Sequence, residues 1–381
     1  MSPSTPSPPY KISPNLASGI RLFLHSQFFI TPPNPTSPFT SQTVIVTGAN
    51  SGLGLEAARH FYRLNCVNLI LAVRSLDKGQ AAKGDIVRSV PSRTAADADS
   101  IKVWELDLSS TESTISFAER VQRELPRLDI LVANAGINTP SFKLVEGVEQ
   151  TVQVNVLNTF LLALMLLPKL QAAAASPSSS SGAKGEGDGE GQQPHLVIVS
   201  SEAHRLTKFP EINQEDLYEY MNQKESFSQQ PRYQATKLIE ILFIRELVAR
   251  LSQKHTQKQK PAASTSNSDS TPPTPPVIIN LVNPGLCTTN LGGTGTQNPP
   301  FLTRLMHRIL FRTTEVGSRT LVLAACAPET SHGEFQSDGA NQRVEGWIYG
   351  DVGKEVQRRV FEETVGILEE RREGVLRGVG L

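Results

Sequence analysis

Short apolar runs and helical patterns alternate along most of the 381-residue chain. Two of the runs, residues 67–73 and 196–199, are apolar almost without interruption, which is typical of strands that are covered on both faces of a parallel sheet. Because such strands alternate with helices, the pattern predicts a doubly wound α/β fold with a mostly parallel, seven-stranded sheet. The predicted strands are residues 44–46, 67–73, 101–106, 130–133, 196–199, 277–282 and 347–349.

Three stretches depart from this pattern. Residues 1–40 repeat Pro and Ser and bury too little apolar surface to fold by themselves, so they are predicted to be a tail. Residues 171–194 and 254–276 are poor in large apolar side chains and are predicted to be solvated loop insertions. The rest suits one domain over residues 41–381. An apolar arm at residues 20–30 is too short to span a membrane, and we expect it to pack on the domain, with membrane contact as the alternative.

Composition and charge narrow the function. Lys+Arg and Asp+Glu are both 37, so no net field attracts nucleic acid, and nucleic-acid binding is not expected. Cys66, Cys287 and Cys326 lie far apart without metal or disulfide spacing, which favours a reducing, cytoplasmic location. The seven His show no metal-binding spacing, so no metal is predicted. The longest apolar run, residues 156–167, ends at Pro168 and predicts a buried helix, so no integral membrane segment is expected.

The first predicted strand leads directly into a glycine-rich turn, TGANSGLG at residues 47–54. Glycines let the backbone approach a pyrophosphate closely, and the free amides at the start of the next helix, predicted from Leu55, donate to its oxygens. The Lys that a P-loop requires is absent, which disfavours nucleotide triphosphate hydrolysis. A structural turn without a ligand is the alternative. The predicted cofactor-binding residues are Gly48, Asn50, Ser51, Gly52, Leu53 and Gly54.

Arg74 favours NADP(H) over NAD as the cofactor. It lies 20 residues after Gly54, at the end of the second strand, where an acidic residue would bind a ribose hydroxyl and an Arg can accept a 2′-phosphate. Two alternatives stay open: Arg74 is simply an exposed residue at a strand end, or Asp77 serves an NAD ribose.

Further cofactor contacts are predicted where the third and fourth strands end. Asp107 could hydrogen-bond the adenine amino group, or it could cap the next helix, a role for which Ser109 and Ser110 compete. A small Ala-Gly pair after the fourth strand would let the backbone pass close to the ribose. The candidates here are Asp107, Leu108, Asn134, Ala135 and Gly136.

Tyr233 and Lys237 carry the predicted chemistry. Four-residue spacing places both on one helical face. A free Tyr has a pKa of about 10, and a nearby ammonium lowers this pKa because it stabilises the phenolate form. Tyr233 could therefore donate a proton to a carbonyl oxygen while a nicotinamide delivers hydride. Many helices carry such a pair by chance, so it counts only together with the other motifs.

Those motifs together resemble the short-chain dehydrogenase/reductase family over residues 41–290. TGANSGLG matches its TGxxxGxG turn, ANAG matches NNAG with Ala133 in place of Asn, and YQATK matches YxxxK. The resemblance implies a Rossmann fold and an NADP(H) or NAD cofactor whose ribose Lys237 binds. It also implies that Ser201 hydrogen-bonds the substrate oxygen, although the neighbouring Ser200 could be mistaken for it. Asn155 would hold a water in a proton relay.

The resemblance extends to the segment after the sixth strand and to one branch of the family. NPGLCTT resembles the PGxxxT segment, which implies that Pro284, Gly285 and Thr289, preferred over Thr288, address the nicotinamide. LAVRS and SSEAH resemble the retinol-dehydrogenase-like branch, which typically uses NADP, and the helix after Arg232 is similar to fungal reductases of secondary metabolism.

The predicted function is an NADP(H)-dependent oxidoreductase that transfers a hydride between the nicotinamide and a carbonyl or secondary alcohol of an apolar small molecule, such as a secondary metabolite. The alternative is a catalytically silent dinucleotide-binding regulatory protein. Sugar-nucleotide epimerisation is disfavoured because the glycines do not spell GxxGxxG. Residues 204–232 and 290–312 are expected to wall the substrate site, the second as an apolar lid. A homodimer through the helices at 156–167 and 233–251 is possible.

Overall fold

An eight-stranded sheet forms the centre of the molecule. The computed structural model describes residues 10–175, 193–259, 274–289, 291 and 310–381. The strand order is β10-β9-β8-β7-β4-β1-β2-β3, and a separate hairpin pairs β5 with β6. The strands are β1 (Thr43–Thr47), β2 (Asn68–Val73), β3 (Ile101–Glu105), β4 (Ile130–Ala133), β5 (Leu144–Val145), β6 (Val148–Glu149), β7 (His195–Val199), β8 (Ile278–Asn283), β9 (Phe335–Ser337) and β10 (Ala340–Gln342).

Helices cover both faces of this sheet. The helices of the described chain are α1 (Leu16–Phe29), α2 (Gly52–Arg63), α3 (Leu76–Ser89), α4 (Thr111–Glu124), α5 (Gln150–Ala175), α6 (Leu217–Met221), α7 (Gln229–Gln259), α8 (Thr314–Ala324), α9 (Asp351–Arg371) and α10 (Val375–Val379). One apolar layer contains α4, α5, α7 and α9, and the other contains α2, α3 and α8. The central strands β1 and β8 are buried along their whole length, because each has helices above and below. The predicted doubly wound α/β fold is confirmed.

The seventh parallel strand differs from the predicted one. Residues 347–349 are not a strand: they belong to a 3-10 helix, Gly346–Tyr349. The strand that extends the sheet is β9, which pairs in parallel with β8 through Leu281 and Phe335, and β10 then adds an antiparallel edge. Three apolar residues in a row are too few for periodicity to separate a strand from a helical turn.

The N-terminal segment lies against the domain. The division of the chain at residue 40 stays a prediction, but residues 10–40 are not a free tail. Ile12 belongs to the core, and Phe39 is fully buried with its ring edge-on to Phe61. The apolar arm forms α1, whose Gln27 binds the segment after β8. A few side chains anchor the segment to the domain. The average composition of the segment, which is rich in Pro and Ser, gave no indication of these anchors.

Most of the two predicted insertions lies outside the described residues, at 176–192 and 260–273. Their described ends, residues 171–175 and 254–259, continue α5 and α7 as helix. By length and apolar composition, α5 is the one helix of the described chain that could cross a membrane, yet 89% of its apolar window is buried inside the protein. It therefore has the character of a core helix, as predicted for residues 156–167.

Candidate active site

The glycine-rich turn needs glycine at three positions. Gly48 and Gly52 have φ angles of +68° and +57°, in the left-handed region that L side chains rarely adopt. A Cβ on Gly54 would stand 2.5 Å from the Asn134 Nδ2 and 2.6 Å from the Gly48 carbonyl oxygen. The turn is therefore a close backbone crossing, which only the absence of side chains permits.

Helix α2 begins inside this turn. It starts at Gly52, directly after the N-cap Ser51, and not at Leu55 as predicted. The Ser51 side chain makes no capping hydrogen bond, whereas Ser110 caps α4 with its side chain. The first amides of α2 are therefore not taken up by a side-chain cap, which fits the predicted pyrophosphate contact. Asn50, Ser51 and Leu53 all lie on the turn.

The segment after β4 is tied to the glycine turn by Thr47, the first residue of the motif, which is not among the predicted cofactor-binding residues. Thr47 Oγ1 accepts hydrogen bonds from the backbone N–H groups of Asn134 and Ala135, both at 2.9 Å. The Asn134 Nδ2 donates to the Thr47 carbonyl at 2.8 Å. The Ala135 Cα is 3.2 Å from where a Gly48 Cβ would stand, and Gly136 follows directly. The structure therefore brings residues 134–136 to the turn.

Arg74 and Asp77 follow the carboxyl end of β2. Both side chains are exposed, and within the described residues Arg74 makes no hydrogen bond or ion pair. Asp77 lies in the first turn of α3. The Arg74 guanidinium is therefore available to a ligand at this edge of the sheet.

Asp107 and Leu108 lie just beyond β3. Asp107 Oδ1 accepts from the Ser109 N–H at 2.9 Å and from its hydroxyl at 2.7 Å, while Ser110 caps α4, so capping by Asp107 is wrong. The Leu108 carbonyl accepts from the Asn158 side chain at 2.9 Å. The adenine contact of Asp107 stays a prediction.

The segment after β8 faces the glycine turn and is held by α1. Thr289 Cγ2 is 3.8 Å from where a Gly52 Cβ would stand, so the structure brings Thr289 to the turn. Gln27, on α1, accepts from the Leu286 N–H at 3.1 Å and donates to the Leu286 carbonyl at 3.0 Å. Gly285, after Pro284, has a φ of +78°. Gln27 is 259 residues away from Leu286, which is why the sequence gave no signal for it.

Ser201 and Tyr233 meet at the carboxyl end of β7. The Ser201 hydroxyl is within hydrogen-bonding reach of the Tyr233 phenol and also accepts from the Ala203 N–H at 3.1 Å. Burial raises the pKa of the phenol, while the Lys237 ammonium and the Ser201 hydrogen bond act in the opposite direction. The Ser200 hydroxyl instead donates to the Lys237 carbonyl at 3.4 Å, which favours Ser201 as the predicted substrate contact.

Lys237 is held between a strand end and a carboxylate. Its Nζ lies 5.6 Å from the centre of the Tyr233 ring and donates to the Val199 carbonyl at 3.0 Å. It also donates to Glu240 Oε1 at 2.7 Å. The sequence analysis did not single out Glu240, although a lone carboxylate within the apolar run LIEILF is a signal that could have identified it.

Asn155 lies in a π-helical turn of α5, Gln153–Leu157. Its Oδ1 accepts from the Ile137 N–H at 2.8 Å, and its Nδ2 donates to the Ile137 carbonyl at 2.9 Å and to Thr236 Oγ1 at 3.3 Å. The side chain thus connects the segment after β4 to α7, beside Tyr233. Single π turns often occur at functional sites. The proton-relay role of Asn155 stays a prediction.

Two other features of the described residues lie apart from this site. No group of three His, Cys, Asp or Glu side chains within the described ranges is placed to hold a metal ion. A cavity of about 230 Å³ lies between the last turns of α5 and α7 and the start of β8. It is at the amino end of the strand, whereas doubly wound sheets bind ligands beyond the carboxyl ends, so we do not assign it to the predicted chemistry.

Known proteins resemble this chain in sequence. A model of the short chain dehydrogenase family matches residues 42–182. A short chain dehydrogenase/reductase of Cryptosporiopsis is 39% identical over 93% of this chain and 98% of its own length. A short chain dehydrogenase of Emericella nidulans is 40% identical over 83% of this chain and 90% of its own length.

Solved structures share the fold. A putative uncharacterised protein from Mycobacterium paratuberculosis has a TM-score of 0.57 at 22% identity, covering 88% of this chain and 98% of its own. A putative short chain dehydrogenase from Escherichia coli, complexed with NADPH, has a TM-score of 0.51 at 20% identity, covering 80% of this chain and 99% of its own.

Proposed function

The chain belongs to the short chain dehydrogenase/reductase family, and from that premise we propose that this oxidoreductase uses NADP(H) to reduce the carbonyl group of an apolar small molecule. The observation that carries the proposal is the meeting of Ser201, Tyr233 and Lys237 at the carboxyl end of β7, on the same edge of the parallel sheet as the glycine turn. A catalytically silent regulator would need none of these three side chains.

Each side chain has a distinct role in the proposed reaction. The bound nicotinamide supplies the hydride. The Ser201 and Tyr233 hydroxyls donate hydrogen bonds to the substrate carbonyl oxygen, and the Tyr233 Oη then gives up its proton to that oxygen. The Lys237 ammonium stabilises the phenolate that is left and binds the cofactor ribose, while the Val199 carbonyl fixes its orientation. Asn155 holds the neighbouring backbone in place and serves the relay that returns the proton.

The geometry of the glycine turn supports the binding of a dinucleotide. Gly54 leaves no room for a side chain, and the first amides of α2 lack a side-chain cap. We assign the pyrophosphate to residues 48–54, the adenosine half to Arg74, Asp107, Leu108 and Asn134, and the nicotinamide to Pro284, Gly285 and Thr289. An Escherichia coli protein of similar fold is complexed with NADPH, which supports a nicotinamide dinucleotide as the cofactor.

A panel assay tests the proposed function directly. Purified protein is mixed with NADPH and a set of apolar ketones, aldehydes and quinones, phenanthrenequinone among them, and loss of NADPH absorbance is followed. We expect turnover of at least one class and binding of NADPH by fluorescence. Tight binding of NADPH with no turnover across the panel would instead favour the regulatory protein.

Replacing Arg74 by Asp is expected to lower the preference for NADPH over NADH by about tenfold or more. A charge-assisted hydrogen bond to the 2′-phosphate would be lost, and a carboxylate in its place would repel that phosphate. The measurement is the ratio of kcat/KM for the two cofactors. Arg88→Asp, at an exposed position in the last turn of α3, is the matched control and should leave the ratio unchanged. An unchanged ratio in Arg74→Asp would reject the assignment of Arg74.

Three further assignments complete the proposal. We place the protein in the cytoplasm, and its substrate among apolar carbonyl compounds of the secondary-metabolite type.

Residues 204–232 form one wall of the site, while the predicted lid at 290–312 lies mostly outside the described residues. A homodimer through α5 and α7 would use the faces of these helices that α9 and α10 leave open, because α9 packs on α7 and α10 packs on α5. Light scattering distinguishes monomer from dimer.

A further inference from the structure

A buried ion pair lies next to the proposed proton donor. Lys237 Nζ and Glu240 Oε1 are 2.7 Å apart, and their side chains are only 8% and 2% exposed. Both groups have given up hydration, so removing either would leave the other as an uncompensated buried charge. The proposed mechanism uses only the ammonium, and the carboxylate has no part in it.

The carboxylate changes what Tyr233 experiences. A lone ammonium beside a buried phenol would favour the phenolate, and the phenol would lose its proton more readily. With Glu240 ionised, Lys237 and Glu240 together carry no net charge, so the phenol faces a dipole and not a full positive charge. The Glu240 charge also acts on Tyr233 directly and raises the pKa of the phenol, adding to the larger effect of burial.

We propose that Glu240 is a positioning residue that holds the Lys237 ammonium and offsets its charge, so that Tyr233 holds its proton more tightly and the site favours carbonyl reduction. This inference rests on the proposed function. In reduction, the carbonyl carbon gains a hydride from NADPH and its oxygen gains the Tyr233 proton, which solvent later replaces. Alcohol oxidation needs the phenolate as a base, and that is the form which Glu240 disfavours.

The groups that face Glu240 are few. On α7 they are Lys237 and Tyr233, and just after the end of β7 it is the Ser200 hydroxyl. Burial raises the pKa of the Glu240 carboxyl, and Lys237 and Ser200 lower it again in part. Burial opposes the Lys237 charge, but Glu240 and Tyr233 leave the pKa of the ammonium raised.

The 3-10 helix Glu202–Leu206, which packs on α7, carries three more titratable groups, and all are engaged elsewhere. Arg205 pairs with Glu202 and Glu345, and the His204 ring bonds the Ser201 carbonyl at 2.8 Å. Burial lowers the pKa of His204 to about 3, so this imidazole stays neutral near the working pH. Glu240 is therefore the acidic group that opposes Lys237 within the described site.

Substituting Glu240→Gln keeps the shape and a hydrogen-bond acceptor but removes the charge. We expect the pKa of Tyr233 to fall by about one unit, because loss of a nearby negative charge stabilises the phenolate. The readout is carbon-13 NMR of labelled tyrosine in the NADPH-bound protein, with the Tyr233 signal identified by its absence in Tyr233→Phe. The alkaline limit of phenanthrenequinone reduction should move to lower pH by the same amount.

Two matched variants separate charge from structure. Glu240→Asp keeps the charge and should restore most of the wild-type titration. Glu246→Gln removes a carboxylate from the same helix, where it pairs with Arg250 near the surface, and should leave the Tyr233 titration unmoved. A Glu240→Gln protein that is less stable but titrates like the wild type would overturn the inference, since a purely structural role predicts that result.

The wild-type titration provides a second test that does not depend on the Gln variant folding. Tyr233 should titrate above the ordinary value of about 10 in the NADPH-bound protein, and a value below it would overturn the inference. Neither titration requires turnover. A failed inference is therefore distinguishable from a failed function, which would show as undiminished turnover in Tyr233→Phe.

Discussion

Replacing Tyr233 by Phe is expected to lower NADPH-dependent carbonyl reduction by about a hundredfold to ten-thousandfold, the range that a positioned proton donor contributes. The ring keeps its place on α7, but the substrate oxygen loses both its proton source and one of its two hydrogen-bond donors. The affinity for NADPH should change little, because the glycine turn and Lys237 remain. The measurements are kcat at saturating NADPH and the NADPH dissociation constant by fluorescence.

The control for this prediction is Tyr10→Phe. The Tyr10 hydroxyl donates to Glu355 at 3.0 Å at an exposed position and takes no part in the proposed proton transfer, so its removal should leave kcat unchanged. Undiminished turnover in Tyr233→Phe would show that the proton comes from another group. In that case Ser201 and Lys237 would still meet at β7, but the assigned chemistry would be wrong.

The sheet could be predicted from the sequence because its strands are buried on both faces. Nearly every residue of β7 and β8 is buried against a helix layer. These strands therefore consist mostly of apolar residues, as in LVIV and IINLVN, and such runs can be recognised in the sequence. The strand β9, which lies next to the edge strand β10, has the sequence FQS and carries no such run. It is defined by its pairing with β8, a long-range contact that local periodicity cannot reveal.

The residues of the candidate site also differ in how far the sequence predicts them. Residues on one turn or one helix face, such as Gly54 or the pair Tyr233 and Lys237, have fixed spacing, and their geometry follows from local structure. Gln27 and Thr47 act through partners that are distant in sequence, and nothing near them indicates those partners. Such contacts depend on how the whole chain packs.

Glu240 is an intermediate case. Its spacing from Lys237 is local, and the two side chains were bound to be neighbours on α7. The spacing alone does not show that this face is buried, so that the pair is an interior ion pair beside Tyr233 and not a solvated surface pair; the surrounding apolar run LIEILF is the local signal for burial. The same three-residue spacing at an exposed position would contribute little.

Replacing Gly54 by Ala is expected to weaken NADPH binding by about a hundredfold. The new Cβ would stand 2.6 Å from the Gly48 carbonyl oxygen, which is backbone, and 2.5 Å from the Asn134 amide, so the crossing has to open. Overpacking of this kind costs about 1–3 kcal/mol, and about 2.7 kcal/mol corresponds to a hundredfold in affinity. Fluorescence titration with NADPH measures the loss, and thermal unfolding measures any accompanying loss of stability.

Gly366→Ala provides the matched control. Gly366 lies at a solvent-exposed position in the middle of α9, and nothing lies within 4 Å of the Cβ that Ala would add. Ala is the better helix former by about 1 kcal/mol, so this variant should unfold at a slightly higher temperature and bind NADPH as the wild type does. If Gly54→Ala bound NADPH normally, the turn would tolerate a side chain at its tightest point. The pyrophosphate would then have to lie elsewhere, since a backbone crossing that can open freely does not hold its amides toward one ligand.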